Sequence, residues 1–344
     1  MEKVLKFKLF IITLHNLKSL LNLISKTMAV ISLDMGGTKI EGAVFRPDGS
    51  SILKRRTLLA GRQGEAVAEA AAAMARELLG EAIIEGEEIS ALGICVPGIV
   101  NRTDGTVWAP NIPGWECYPL RDHLRRAMPE HVEVYVDSDR SCAIYGATWI
   151  GAAAQCRNAV FVAVGTGIGV GIMSDGRVLH GAGDIAGASG WLALQSPYTS
   201  DYDECGCFES YASGNGIGAQ ARRKLAEGRC GSHLPGAKNI EDITSHDVFA
   251  AYEAGDEVAV EVIDKAIEMW GMAGANLVSL LNPEVVVWGG GVFGPATKFI
   301  DRIRLEAEKW AQPVAMKKVK FVPARPDINP VLCGAAYIAL NQYV

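Results

Sequence analysis

Apolar and polar positions along the chain fall into two similar series. The first begins with Val30-Ile31-Ser32-Leu33, closes on Asp34, turns through Met35-Gly36-Gly37-Thr38-Lys39, resumes from Ile40 to Phe45 and turns again at Pro47-Asp48-Gly49. Apolar run, glycine turn, apolar run and Asp-Gly turn spell a β-hairpin feeding a third strand. About 130 residues later the same order returns in Ala159 to Val164, Gly165-Thr166-Gly167-Ile168-Gly169, Val170 to Met173 and Asp175-Gly176. Residues 65–79 are rich in Ala, Glu and Leu and lack Gly and Pro, which predicts a helix. Ile89 to Val96 and Val132 to Val136 are short β-branched runs that predict buried parallel strands. Leu277 to Leu281, Asn282-Pro283 and Val285 to Trp288 read as helix end, break and strand, running into Gly289-Gly290-Gly291. Two like halves of this kind predict duplicated α/β domains facing each other across a cleft.

Composition supports two cores. The chain has 344 residues, 49% of them hydrophobic and 21% charged, which is ample material to bury and no basis for disorder. Lys and Arg number 33 against 39 Asp and Glu, a formal charge of −6 that leaves no basic excess for a nucleic-acid partner. The eight cysteines are scattered, unlike the dense framework of a secreted disulfide scaffold, so a reducing cytoplasm is expected. Residues 1–27 are set apart as an extension, poorly ordered or helical. In it Lys3, Lys6, Lys8, His15, Lys18 and Lys26 interrupt the apolar residues, so neither a membrane span nor a signal peptide is expected.

The glycine turns carry candidate chemistry. Asp34 before Gly36, Gly37, Thr38 and Lys39 places a carboxylate beside unobstructed backbone N–H groups, an arrangement that holds a triphosphate with its Mg²⁺. A plain hairpin turn is the competing reading of one such loop alone. Gly165-Thr166-Gly167 forms a second loop of the kind, and a pair of them would bracket a phosphate chain. The chain lacks the G-x-x-x-x-G-K-[ST] string, and Val170-Gly171-Ile172-Met173 continues as strand where a dinucleotide fingerprint would turn to helix. Gly290-Gly291, after a buried strand, could let a purine lie against backbone. Val134-Tyr135-Val136-Asp137-Ser138-Asp139 puts carboxylates at the end of a strand, just before a helix over Arg140 to Gly146. A base for phosphoryl transfer to an alcohol belongs at such a strand end, although Asp139 also suits a helix N-cap.

These strings, with Val96-Pro97-Gly98-Ile99-Val100, Pro110-Asn111-Ile112-Pro113-Gly114-Trp115 and Gly206-Cys207-Phe208-Glu209, stand in the order found in the ROK family, which the chain resembles from Met28 to Val344. That family holds sugar kinases and related repressors of the ribonuclease H-like, actin and hexokinase type. The resemblance implies a smaller domain of residues 28–138 with 329–344 and a larger one of 139–328, flanking a nucleotide and sugar cleft. It implies Asp139 as the base that takes the proton of a sugar 6-hydroxyl, preceded by Ser138 where the family usually has Asn. Asn111 and Glu209 would contact the sugar. Asp34, Gly36, Gly37, Thr38 and Lys39 would form the first phosphate loop, with Asp34 meeting Mg²⁺ through water. Gly165, Thr166 and Gly167 would form the second, and Gly290 and Gly291 would lie on the nucleotide side. A homodimer is the expected assembly.

Two departures from the resembling pattern matter. Where many members read Ala-Gly-Glu-x-Gly-His, with Glu and His on the sugar and His also on zinc, this chain reads Ala186-Gly187-Ala188-Ser189-Gly190-Trp191. The positions of the zinc cysteines hold Ser200, Tyr202 and Cys207, with Asp203 on the glycine between them, so only one of four ligands remains and no zinc site is expected. Trp191 would give the sugar pocket an apolar face, and a buried hydroxyl left unpaired costs about 1–3 kcal/mol. Glucose held by the ordinary family contacts is therefore disfavoured, and a deoxy, amino or cyclitol analogue is expected among the hexose-like acceptors. The expectation is an ATP- and Mg²⁺-dependent kinase of a primary hydroxyl. The rivals are a degenerate sugar-binding protein and a transcriptional repressor, the latter needing a helix-turn-helix domain ahead of Met28.

Overall fold

The computed structural model describes residues 28–236 and 238–341, so the extension over 1–27 lies outside the described residues. They divide into two compact units, one running to Ser138 and regained from Ala335, the other spanning Asp139–Gly334.

In the first unit, β1 (Ala29–Met35), β2 (Lys39–Phe45) and β3 (Ser51–Leu58) form an antiparallel meander. Helix α1 (Glu65–Ile84) follows, then β4 (Ile89–Val96), the short pair β5 (Ile99–Val100) and β6 (Val107–Trp108), α2 (Leu120–Ala127) and β7 (Glu133–Ser138). The sheet order is β3-β2-β1-β4-β7, with β4 parallel to both β1 and β7. The apolar stripe of α1, including Val67, Ala71, Leu78 and Ala82, is buried in the core that takes Ile31, Leu33 and Leu92 from the sheet. The helix runs five residues past the predicted 79, because the added positions keep the same stripe, with Ala82 buried and Ile83 and Ile84 outside. Gly86, at φ 81°, follows its end.

The second unit begins with α3 (Asp139–Trp149), followed by β8 (Ala159–Val164), β9 (Ile168–Ser174) and β10 (Arg177–Val178). Four helices come next: α4 (Cys207–Ala212), α5 (Gly214–Ala226), α6 (Ser245–Glu253) and the long α7 (Glu257–Leu281). The unit continues with β11 (Val285–Gly289), α8 (Ile300–Glu308), α9 (Pro313–Met316) and β12 (Lys320–Pro323), and α10 (Pro330–Asn341) closes the described chain. Its sheet order is β10-β9-β8-β11-β12, again an antiparallel meander joined to two parallel strands. The repeat read from the sequence is therefore a repeat of strand order. Asp175 and Gly176 both have positive φ (51° and 80°), the backbone of a two-residue hairpin turn that favours Asp-Gly.

Helix α7 is the centre of the second core. Asp256 caps it by accepting the Ala259 amide at 2.9 Å, and Asn282 ends it in the left-handed region at φ 45°. Its Trp270 is fully buried and donates Nε1–H to the Ala212 carbonyl at 3.1 Å, which fixes the end of α4. Truncating a core tryptophan usually costs about 3–5 kcal/mol, so this anchor is a strong one. The return to the first unit comes at Ala335, six residues after the expected 329. A Cβ on Gly146 would meet the Pro330 carbonyl oxygen at 1.9 Å, and one on Gly334 would meet that of Cys142 at 1.8 Å. Those glycines let the first turn of α10 lie against α3, so it stays with the second unit. Among the described residues no helix is long and apolar enough to cross a membrane.

Candidate functional site

Carboxylates of the first unit gather at the carboxyl ends of its parallel strands. Asp34 on β1 pairs in register with Cys95 on β4, and Cys95 with Asp137 on β7, so two carboxylates flank a buried thiol at about 10 Å backbone separation. Asp137 is 1% exposed and accepts the Ser138 amide at 2.7 Å, whereas Asp34 is half-buried where the chain leaves the sheet. The turn after it is closed by the Gly36 amide donating to the Lys39 carbonyl at 3.0 Å. A Cβ on Gly37 would come within 3.1 Å of the Asn111 side-chain nitrogen, so the sequence-predicted Asn111 stands against the first glycine loop. Asn111 is held by its own loop. Trp115 is buried, donates Nε1–H to the Gly64 carbonyl at 3.0 Å and stacks on Tyr118 at 4.7 Å. Thr38 is exposed at the turn. Lys39, expected on the phosphate loop, begins β2 and forms an ion pair with Glu41, so its ammonium is drawn toward the strand.

The second unit brings more of the predicted residues together, and the agents are three alternating glycines, Gly167 in the turn that enters β9 and Gly169 and Gly171 on the strand itself. A Cβ at Gly167 would meet Oε2 of Glu209 at 2.8 Å, one at Gly169 would meet Cγ of Arg140 at 3.0 Å, and one at Gly171 would meet the Arg140 carbonyl oxygen at 2.3 Å. Residues two apart share a face of a strand. The face cleared by these glycines thus seats the start of α3 and the Glu209 carboxylate side by side. Asp139 is the first residue of α3, exposed, with Oδ1 accepting the Arg140 amide at 2.8 Å. Ser138, one residue earlier, is 4% exposed.

Glu209 accepts the Ile168 amide at 2.6 Å. Burial pushes its carboxyl above the usual range, and the Ile168 hydrogen bond opposes that shift. Gly190 also makes room for it, since a Cβ there would lie 2.8 Å from Oε2. The next residue, Trp191, expected as an apolar pocket wall, is 58% exposed. Cys205 is half-buried with its thiol pushed up by burial, and Cys207 is buried. Among the described residues no three His, Cys, Asp or Glu side chains are grouped to hold a metal ion. Of the positions matching zinc ligands, Tyr202 is buried against Tyr198 and Tyr211, an aromatic environment unsuited to zinc.

The turn Gly165–Gly167 opens onto a cavity of about 360 Å³ lined by Gly165, Thr166, Asn215, Arg222, Phe249 and Gly291, among others. Gly290, at φ 90°, is required by the backbone, because a Cβ there would lie 2.4 Å from the Val164 carbonyl oxygen. Gly165 and Gly291 differ. A Cβ on either meets nothing within 4 Å, so neither glycine is demanded by packing, and both leave space in the cavity wall. A neighbouring cavity of about 790 Å³ is lined by Glu209, Cys205 and Ser213 and shares Asn215 and Arg222 with the first. Arg222 is steered by donating to the Ile243 carbonyl at 2.6 Å.

Sequence reasoning missed Asn215, Arg222 and Phe249, and also Thr244, Ser245 and His246, which complete the smaller cavity. A capping box is the available signal for the last three: Thr244 and Asp247 exchange hydrogen bonds at the start of α6. Lys238 donates to Asp247 at 2.6 Å, and with Thr244 it holds that carboxyl down at about 2. An acid whose pKa is depressed on folding lends stability above its unfolded value of about 4 and loses it as pH falls toward the folded value. Asp247→Asn is therefore expected to flatten the fall in melting temperature between about pH 4 and pH 2, by about 1 kcal/mol or less at this solvent-screened site. Parallel melting curves for the variant and the parent across that range would refute it.

A family model described as the ROK family matches residues 30–342. A glucokinase of Halalkalibacterium halodurans is 31% identical over 91% of this chain and 95% of its own length. A ROK hexokinase from Thermus thermophilus superposes with a TM-score of 0.73 at 29% identity, covering 92% of this chain and 99% of that one. A ROK family glucokinase from Streptomyces griseus, solved with glucose and AMPPNP, gives a TM-score of 0.73 at 27% identity, over 91% of this chain and 99% of that one.

Proposed function

Because the chain belongs to the ROK family, we propose that it is an ATP-dependent kinase that phosphorylates the primary hydroxyl of a hexose or hexose-like cyclitol, with Asp139 as general base. The observation that carries this reading is the glycine-cleared face of β9, which sets the start of α3, Glu209 and the Gly165–Gly167 turn beside one another. Glucokinase names among relatives that align over nine-tenths of the chain support it.

The second unit supplies most of the donor side. The open wall at Gly165 and Gly291 suits close approach of a nucleotide to backbone, and Asn215, Arg222 and Thr166 offer polar contacts there. When bound with ATP, Mg²⁺ would neutralise phosphoryl charge, and the half-buried Asp34 offers the hard oxygen ligand for it or for one of its waters. On the acceptor side, Glu209 would be the hydrogen-bonding group of the second unit, and the exposed Trp191 would offer a flat apolar surface to the ring. Asp139, whose Oδ1 accepts the Arg140 amide at the start of α3, would take the proton of the acceptor hydroxyl as that hydroxyl oxygen attacks the γ-phosphorus. ADP leaves, and the phosphate ester remains on the sugar.

The test is purified protein with Mg-ATP against panels of hexoses, amino sugars and cyclitols, scored by acceptor-dependent ADP release. Turnover with one of these classes is expected. If ADP release never exceeds the acceptor-free rate, the degenerate binding-protein reading replaces this one.

A further inference from the structure

The Gly165–Gly167 turn is held in place by a single short stretch of chain. The Gly214 amide donates to the Gly165 carbonyl at 2.8 Å, the Asn215 amide to the Thr166 carbonyl at 3.3 Å, and Glu209 accepts the amide of Ile168 at 2.6 Å. The first two contacts come from the first turn of α5, and the third comes from α4 immediately before it. Gly167 and Gly190 both lack the side chain that would collide with the carboxylate, each at 2.8 Å from Oε2. The carboxylate is therefore built into the turn, forty-one residues away in sequence.

Resting on the kinase reading above, we infer that Glu209 is a positioning residue for the nucleotide: by accepting the Ile168 amide it sets the Gly165–Gly167 turn in its binding shape, while its other oxygen meets the acceptor. Acceptor and donor occupancy are then linked through one side chain, and the linkage acts equally in both directions. The backbone groups of the turn lose their fixed orientation without it, because the Ile168 amide has to find another partner at the edge of the cavity.

The experiment measures Mg-AMPPNP affinity of the full chain by calorimetry with no sugar present. Glu209→Ala removes the acceptor, and Glu209→Asp keeps the charge but withdraws the oxygen from reach. Each is expected to weaken binding on the order of tenfold or more, the usual consequence of losing a hydrogen bond to a charged group. Glu209→Gln keeps an oxygen for the Ile168 amide and is expected to bind within about threefold of the parent. Folded Ala or Asp variants that bind Mg-AMPPNP like the parent would overturn the inference, as would a Gln variant as weak as Ala. Should Ala not fold, the contrast between Asp and Gln decides. A parent protein that binds no Mg-AMPPNP would instead remove the kinase reading itself.

Discussion

Asp139→Asn is expected to lower kcat by about 10²- to 10⁴-fold, the usual contribution of a positioned general base. Mg-AMPPNP affinity should stay within about twofold of the parent, since an interaction confined to the transition state does not enter ground-state binding. The substitution is close to isosteric. The amide oxygen can still accept the Arg140 N–H, so the start of α3 keeps its cap and its seat on Gly169 and Gly171. What disappears is the ability to take a proton from the acceptor. Asp137, two residues earlier, is the internal comparison: at 1% exposure, with Oδ1 on the Ser138 amide, it is poorly placed to meet a substrate. Its replacement should act through stability. Wild-type turnover in Asp139→Asn would strip Asp139 of the base role, and equal loss of nucleotide affinity would show that it acts on binding.

The elements that read clearly in the sequence are those whose signal is local. Two hairpins with glycine turns, each followed by parallel β-branched strands, became two sheets of identical order, because strand period and turn chemistry depend on neighbouring residues. Asp139 was visible for the same reason, as a carboxylate at a strand-to-helix junction. The purpose of Gly169 and Gly171 was not, since it lies in the backbone of α3, some thirty residues earlier, and no spacing rule joins them. Trp191 shows a different gap. Its replacement of a polar residue could be read, but whether the indole turns inward or outward depends on Gly206 and Gly190, which bring α4 close behind it. Lys39 was read from its place in a phosphate-loop string, and a side-chain ion pair with Glu41 on the same strand face redirects it. The walls contributed by Arg222 and Phe249 lie on separate helices and converge only when α5 and α6 pack.

Truncating Tyr202 to Ala is expected to destabilise the second unit by about 3–5 kcal/mol, as for other large core side chains, while a chelator leaves the melting temperature of the parent unchanged. The segment before α4 is the one whose positions match the zinc ligands of the resembling pattern. Here Tyr202 is 5% exposed, with Tyr198 edge-on at 5.9 Å and Tyr211 at 6.2 Å. Gln195 donates to the Tyr211 hydroxyl at 3.0 Å and to that of Tyr202 at 3.5 Å, and Tyr198 donates to Asp203. Burial, with the Tyr211 hydroxyl adjoining, pushes the Tyr202 phenol up to about 12, so the ring stays neutral throughout the physiological range. The Tyr202 carbonyl accepts the Gly206 amide at 2.9 Å, which leads straight into α4 and Glu209. An aromatic cluster thus packs the segment that leads into α4, and apolar burial is expected to hold it. Tyr202→Phe, which loses only hydroxyl contacts, should cost about 1 kcal/mol, and the separation between the two variants measures how much of the hold is ring burial. Urea denaturation of the three proteins gives the stability differences, and thermal melting of the parent with and without EDTA gives the effect of chelation. A melting temperature that falls on chelation would mean that a metal, and not the tyrosines, closes this loop.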